Sequence, residues 1–164
     1  MVFFDTCIWI ELLGIRSPKK QHEIKQAKAA TSLLEQVIQS KEQIITCKEQ
    51  ILELLSAILK VKLKECSQIL KSQQLPGMGN LKEFRNSTYF QDTKDLIYQV
   101  YQDIQHFTTL HEASYEIEQI IQNLDLVDIN DYIYFDYCRS ENIRFYTFDN
   151  DFRAIGEASY VNFI

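Results

Sequence analysis

Residues 1–13 read MVFFDTCIWIELL. Val2–Phe4 is a short apolar run that stops at Asp5, the pattern of a brief buried strand. Ile8, Ile10, Leu12 and Leu13 then predict a short helix. Further strand–helix junctions follow. Ile44-Ile45-Thr46 reads as a second strand, and Thr46 with Glu49 forms a T-x-x-E capping box that opens a helix. That helix carries Ile51, Leu52, Leu54, Leu55, Ile58 and Leu59 and runs, whole or interrupted, through Leu70. Arg144–Thr147 reads as a strand before the turn-like FDNDF of residues 148–152, and Tyr160–Ile164 as a final strand. Helical spacing recurs at Gln21–Ser40, Asp92–Phe107 and Ser114–Asn123, and from about Asn130. Gln73–Asn80, with Pro76, Gly77 and Gly79, is the clearest loop. Strands separated by helices imply βαβ units, hence an α/β fold with a parallel sheet.

Composition agrees. A length of 164 residues favours one unit spanning 1–164. An apolar share of 46% suffices for a sizeable core, and only four Gly and two Pro argue against an all-β architecture. The N-terminus lacks a basic segment and carries Asp5 and Glu11 among its apolar residues, unlike a signal peptide. No apolar run approaches the ~18–20 residues of a membrane span. Cys7, Cys47, Cys66 and Cys138 form no CxxC pair, which argues against structural zinc and fits a cytoplasmic protein with reduced thiols. Cys7 and Cys47 follow two strands expected to be neighbours, so they are expected close together, as buried free thiols rather than a disulfide.

The net charge of −6 looks wrong for a nucleic-acid binder, but it is unevenly distributed. Residues 1–94 hold 14 Lys/Arg against 10 Asp/Glu; residues 95–164 hold 3 against 13. Basic residues gather at Arg16, Lys19, Lys20, Lys25 and Lys28, and at Lys60, Lys62, Lys64 and Lys71. They are either solvated helix surface or phosphate contacts beside an acidic site.

In open α/β sheets, ligands bind beyond the carboxyl ends of the strands. Asp5 and Asp149 each follow a strand, which places both at one edge. A helix cap or a turn is the ordinary role of such an Asp. On a helical wheel Glu49, Glu53, Ser56, Ala57 and Lys60 share the face opposite the leucines. This is either a plain polar face or one that aims Glu53 into the groove lined by Asp5, with the small Ser56 and Ala57 leaving room for substrate. Asp128 and Asp131 fit the N-cap and N3 positions of a helix. Four carboxylates at one edge would repel one another without a cation, and hard divalent ions take such oxygen ligands. His22, His106 and His111 follow no catalytic spacing.

The order of these blocks carries a resemblance. FFDTCIWIELL resembles the opening of PIN domains, a strand followed by Asp-Thr/Ser-Asn/Ser and an apolar helix. IITCKEQILELL looks like the family's second block, with Glu53 at its acidic position. VDINDYIYFDYC and FYTFDNDF are similar to the closing blocks, with Asp131 and Asp149 at the acidic positions and Thr147 and Asp151 beside them. Cys7 stands where Asn or Ser is commoner. Lys62–Asn123 is largely unmatched and is expected to be a helical insertion around 62–123 used in recognition.

The resemblance implies a three-layer α/β/α PIN-like fold with a central parallel sheet and additional helices. It implies an endoribonuclease in which Asp5, Glu53, Asp131 and Asp149 hold Mg²⁺ or Mn²⁺ for water activation and in-line displacement at phosphorus. Thr6, Asp128, Thr147 and Asp151 are the supporting residues, with Asp128 the alternative to Asp131 and Asp151 a candidate fifth acid, and RNA is the implied substrate. Many members are toxins held inactive by an antitoxin protein, commonly as homodimers. A non-catalytic PIN-like scaffold binding RNA or protein is the alternative. A phosphatase with an Asp nucleophile would carry Asp-x-Asp after the first strand, where this chain has Cys7. A response regulator would need a Lys near the last strands, and none is there.

Overall fold

The computed structural model describes residues 1–155 and 159–164. Among them five strands, β1 (Val2–Phe4), β2 (Ile44–Cys47), β3 (Thr109–His111), β4 (Arg144–Thr147) and β5 (Val161–Phe163), form one sheet in the order β3-β2-β1-β4-β5. Every pairing is parallel, with Val2 between Ile44 and Arg144. The helices are α1 (Thr6–Leu12), α2 (Gln21–Gln39), α3 (Lys48–Ser72), α4 (Leu81–Arg85), α5 (Phe90–Phe107), α6 (Ile117–Gln122) and α7 (Ile129–Ser140). A short 3₁₀ turn covers Asp151–Ile155.

Alternation along β1 builds the layers, because successive strand side chains point to opposite faces. Val2 and Phe4 enter a core with Ile8, Trp9, Leu33, Leu54, Ile58 and Val100, drawn from α1, α2, α3 and α5. Phe3 enters the other core, with Ile120, Tyr134, Tyr137, Phe145 and Phe152. Its ring lies 5.3 Å from Tyr134 and 5.8 Å from Phe145. Both faces of the sheet are thus covered, as parallel sheets require. The architecture is three-layer α/β/α, as expected.

One local reading changes, one left open is settled, and one strand is added. Thr46 is not a helix cap: it pairs with Leu110 inside the β2–β3 ladder, so its backbone is committed to the sheet. α3 begins at Lys48, and the N-cap residue Cys47 makes no side-chain cap. The Thr46 hydroxyl instead donates to Gln50 Oε1 at 2.8 Å, and Gln50 Nε2 donates to the Phe4 carbonyl at 2.5 Å. This buried relay ties the start of α3 to the residue before Asp5. Second, α3 continues without a break to Ser72. Third, β3 is a strand that the sequence pattern does not announce: Thr109 and Leu110 are exposed on an edge strand, so no apolar run marks it. No helix among the described residues is long and apolar enough to cross a membrane.

Candidate functional site

From β1 the chain leads to β2 and β3 on one side, while β4 and β5 lie on the other. The direction reverses between β1 and β4, the switch point where open parallel sheets hold ligands beyond their strand ends. Asp5 follows β1 there, and Asp149 follows β4 two residues past its end.

Asp5 occupies the N-cap position of α1, but its side chain does not cap the helix. Its Oδ2 accepts from the Thr147 hydroxyl at 2.6 Å and from the Cys7 thiol at 3.1 Å. The Thr147 hydroxyl, fully buried, also accepts from the Asp149 amide at 2.8 Å. One Thr side chain therefore positions both strand-end acids. Asp149 Oδ1 accepts from the Asp151 amide at 2.8 Å, so Asp151 contributes its backbone while its side chain stays exposed. Cys7 thus supplies a thiol donor to Asp5. Burial, then the charge on Asp5, push its pKa well up, so the thiol remains a donor. All four cysteines are free thiols, with Cys47 buried and Cys7 half-buried.

Glu53 comes from the second turn of α3. Its Oε2 accepts from Thr6 Oγ1 at 3.0 Å and from the Tyr134 phenol at 2.6 Å. Asp131 stands at N3 of α7, behind the N-cap residue Asp128, which makes no side-chain cap. Asp131 is half-buried and accepts no hydrogen bond among the described residues.

The electrostatics join these acids. Burial first, and then the charges of Asp5, Glu53, Asp149 and Asp128, raise the Asp131 pKa to about 8. Asp5, only 4% exposed, is pushed up to about 6 by burial, against the hydrogen bonds of Thr147 and Cys7, with the Glu53 charge adding to the rise. Asp131 thus lies within the fields of Asp5, Glu53 and Asp149, and Asp5 within that of Glu53. None of them enters an ion pair among the described residues. Two clefts that share Glu53, Lys60 and Asn130 open beside Glu53 and Asp131. One, about 420 Å³, is lined by Glu53, Lys60, Asp128, Asn130 and Asp131; the other, about 490 Å³, by Glu53, Ser56, Ala57, Lys60 and Asn130. The small residues do leave space at Glu53. Lys60 reaches this region, whereas Lys62 pairs with Glu65 at 2.8 Å, and Lys64 and Lys71 are exposed farther along α3.

As they stand, no three Asp, Glu, His or Cys side chains among the described residues converge as a ligand group for one ion. Asp5 and Glu53 are held instead by neutral hydroxyl and thiol donors. The donor set nevertheless suits a hard divalent cation. It consists of carboxylate oxygens, the charges on Asp5, Glu53 and Asp149 bear unfavourably on Asp131, and Glu53 Oε1 and the Asp131 oxygens have no protein donors among the described residues. Tyr134 and Gln50 are the contributors that the sequence did not reveal. Tyr134 lies one helical turn after Asp131, but an aromatic in the apolar run YIYFDY reads as core.

A family model described as PIN domain matches residues 2–158. Comparison with curated proteins and with solved structures finds no match.

Proposed function

The chain belongs to the PIN-domain family, whose members are generally nucleases, and from that premise we propose that it is a divalent-metal-dependent endoribonuclease that hydrolyses RNA phosphodiesters. One observation supports the reading: Asp131 of α7 feels the charges of Asp5 after β1, Glu53 of α3 and Asp149 after β4, and none of the four is paired to a cationic side chain among the described residues.

Asp5, Glu53, Asp131 and Asp149 are the residues that would hold Mg²⁺ or Mn²⁺. A bound divalent ion supplies water activation near neutral pH and offsets charge on the phosphate during in-line displacement. The chain's own residues prepare for that. Thr147 fixes Asp5 and Asp149 together, and Thr6 fixes Glu53. Asp128, exposed and lining the smaller cleft, would orient water there. Lys60, which lines both clefts, would meet a phosphate of the RNA, and Lys64 and Lys71, exposed farther along α3, would extend that track. The stretch 62–123, as an addition to a unit spanning 1–164, serves recognition. A toxin role, with an antitoxin partner and a homodimer, accords with the exposed Ile117, Ile121 and Leu124 of α6 and the residues after it. Free thiols accord with a cytoplasmic location.

The test is incubation of purified protein with RNA, in Mn²⁺ or in EDTA. Internal cleavage in Mn²⁺ alone is expected. RNA binding without cleavage in either condition would favour a non-catalytic scaffold.

A further inference from the structure

We infer that Tyr134 is a positioning residue for Glu53, holding one carboxylate oxygen so that the other is presented to a divalent cation in the acid cleft. The inference rests on the metal-dependent reading above and names a residue which that reading does not use. Tyr134 is completely buried, and its phenol donates to Glu53 Oε2 at 2.6 Å. Thr6 Oγ1 donates to the same oxygen at 3.0 Å. Both donors sit on Oε2, Oε1 has none among the described residues, and Glu53 itself lines the cleft.

The clamp is rigid because its parts come from different layers. Thr6 opens α1, which packs in the Val2–Phe4 core; Tyr134 belongs to α7, in the core on the opposite face. Glu53 itself rises from α3. The Tyr134 ring is locked against Phe3, with centroids 5.3 Å apart. A carboxylate on a flexible three-bond stem is thereby tied from both sides of the sheet. Tyr134 and Asp131 lie three residues apart on α7, so the helix that brings one acid also orients another. A buried phenol always needs a partner, and satisfying it is the purely structural reading. The two readings differ in what the hydroxyl controls: the fold, or cation affinity.

The experiment measures Mn²⁺ binding by titration calorimetry, without RNA, for the parent protein, Tyr134→Phe, Thr6→Val and Tyr137→Phe. Tyr134→Phe keeps the ring against Phe3. Tyr137→Phe is the control: it removes a buried phenol from the same helix, one bonded to His111 Nδ1 at 3.0 Å and not to Glu53. Tyr134→Phe is expected to weaken Mn²⁺ binding by about 10–100-fold, the usual effect of losing a partner that orients a ligand. Thr6→Val should act in the same direction. Tyr137→Phe should leave affinity unchanged even if it lowers the melting temperature. In cleavage assays, Tyr134→Phe should need more Mn²⁺ for half-maximal rate, with KM for RNA unchanged at saturating Mn²⁺. Equal affinity in the parent and Tyr134→Phe overturns the inference and leaves the metal-dependent reading standing. An equal loss in Tyr137→Phe also overturns it, by showing general loosening of α7. A parent protein that binds no Mn²⁺ overturns both.

Discussion

Asp5 and Glu11 lie at the two ends of α1, both buried, and the chain treats them in opposite ways. Glu11 has a cation: Arg16 Nε and Nη2 both reach its Oε1, at 3.0 and 2.5 Å. At the edge where the strands begin, Glu42 likewise pairs with Arg144. Asp5 receives only a hydroxyl and a thiol. Glu53 receives two hydroxyls, and Asp131 no donor among the described residues. Neutral donors fix a carboxylate's direction but cancel little of its charge. At Glu11 and Glu42 the chain supplies a cation; at Asp5 and Glu53 it supplies oriented neutral donors instead. This is the pattern expected of groups that await an external cation.

The largest expected effect tests that contrast directly. Asp5→Asn and Asp149→Asn should each reduce Mn²⁺-dependent RNA cleavage to the level left in EDTA. Both variants should keep the parent's circular dichroism. Cleavage retained by both would make the two acids structural and erase the distinction from Glu11.

The next effect is on stability and depends on pH. Asp131 is pushed up to about 8 in the metal-free fold, chiefly by burial and then by its acidic neighbours. A carboxylate raised in the native state holds a proton that the unfolded chain has released. Its contribution is full below the ordinary value near 3.8 and is lost as pH climbs from there to about 8. Asp131→Asn cannot lose a proton. In acid the two proteins should melt together, and above pH 8 the metal-free variant should be the more stable. The gap should widen by no more than about 1.4 kcal/mol per pH unit across that window. Mn²⁺ at ~100 times its dissociation constant should add about 2.7 kcal/mol to the parent and less to the variant. Melting curves at several pH values in EDTA check this, and a constant gap would mean that Asp131 carries no such strain.

At the other end of α1 the sign reverses. Arg16→Gln leaves Glu11 buried without its cation, while Glu11 Oε2 already lacks a hydrogen-bond partner among the described residues. A loss of about 1–3 kcal/mol is expected, with Mn²⁺ affinity untouched. Urea unfolding at neutral pH measures the first and calorimetry the second. A stabilised Arg16→Gln would break the comparison.

These contrasts also mark how far the sequence could be read. β1 and β2 are buried runs and β4 buries Phe145 and Thr147, so each leaves a strand pattern in the sequence. Asp5 and Asp149 could be placed at one edge because a strand end fixes where its next residues lie. Glu53 could be placed only on a helical face: the wheel gives direction around α3, not what stands opposite. β3 escaped notice because an exposed edge strand of three residues has no apolar signature. The stretch 62–123, set apart by pattern, supplies this strand together with α5, which packs on α3. Thr46 looked like a cap because T-x-x-E is a local signal, and a ladder partner 64 residues later overrode it. Tyr134 and Cys7 stayed hidden for a related reason. An aromatic or a thiol in an apolar run reads as packing, and only the fold shows what its polar atom meets.

The smallest expected effect concerns the single cation that the acid cleft admits. At 100° per residue Lys60, Lys64 and Lys71 fall in phase on α3, and Lys62 falls on the opposite side, paired with Glu65. Only the first group can follow a strand whose phosphate lies at the cleft, and of these only Lys60 lines it. Lys60→Gln should weaken single-stranded RNA binding in EDTA, where cleavage is off. It should also flatten the slope of log affinity against log salt by about 0.7, the share of one phosphate contact. Lys62→Gln should leave the slope unchanged, because its cation is already spent on Glu65 and points elsewhere. Both are exposed or half-exposed helix positions, so neither change should disturb the fold by more than a few tenths of a kcal/mol. Fluorescence anisotropy across a salt series separates the two. Equal slopes in all three proteins would return Lys60 to plain surface and leave the cleft purely acidic, with its cation supplied entirely from solution.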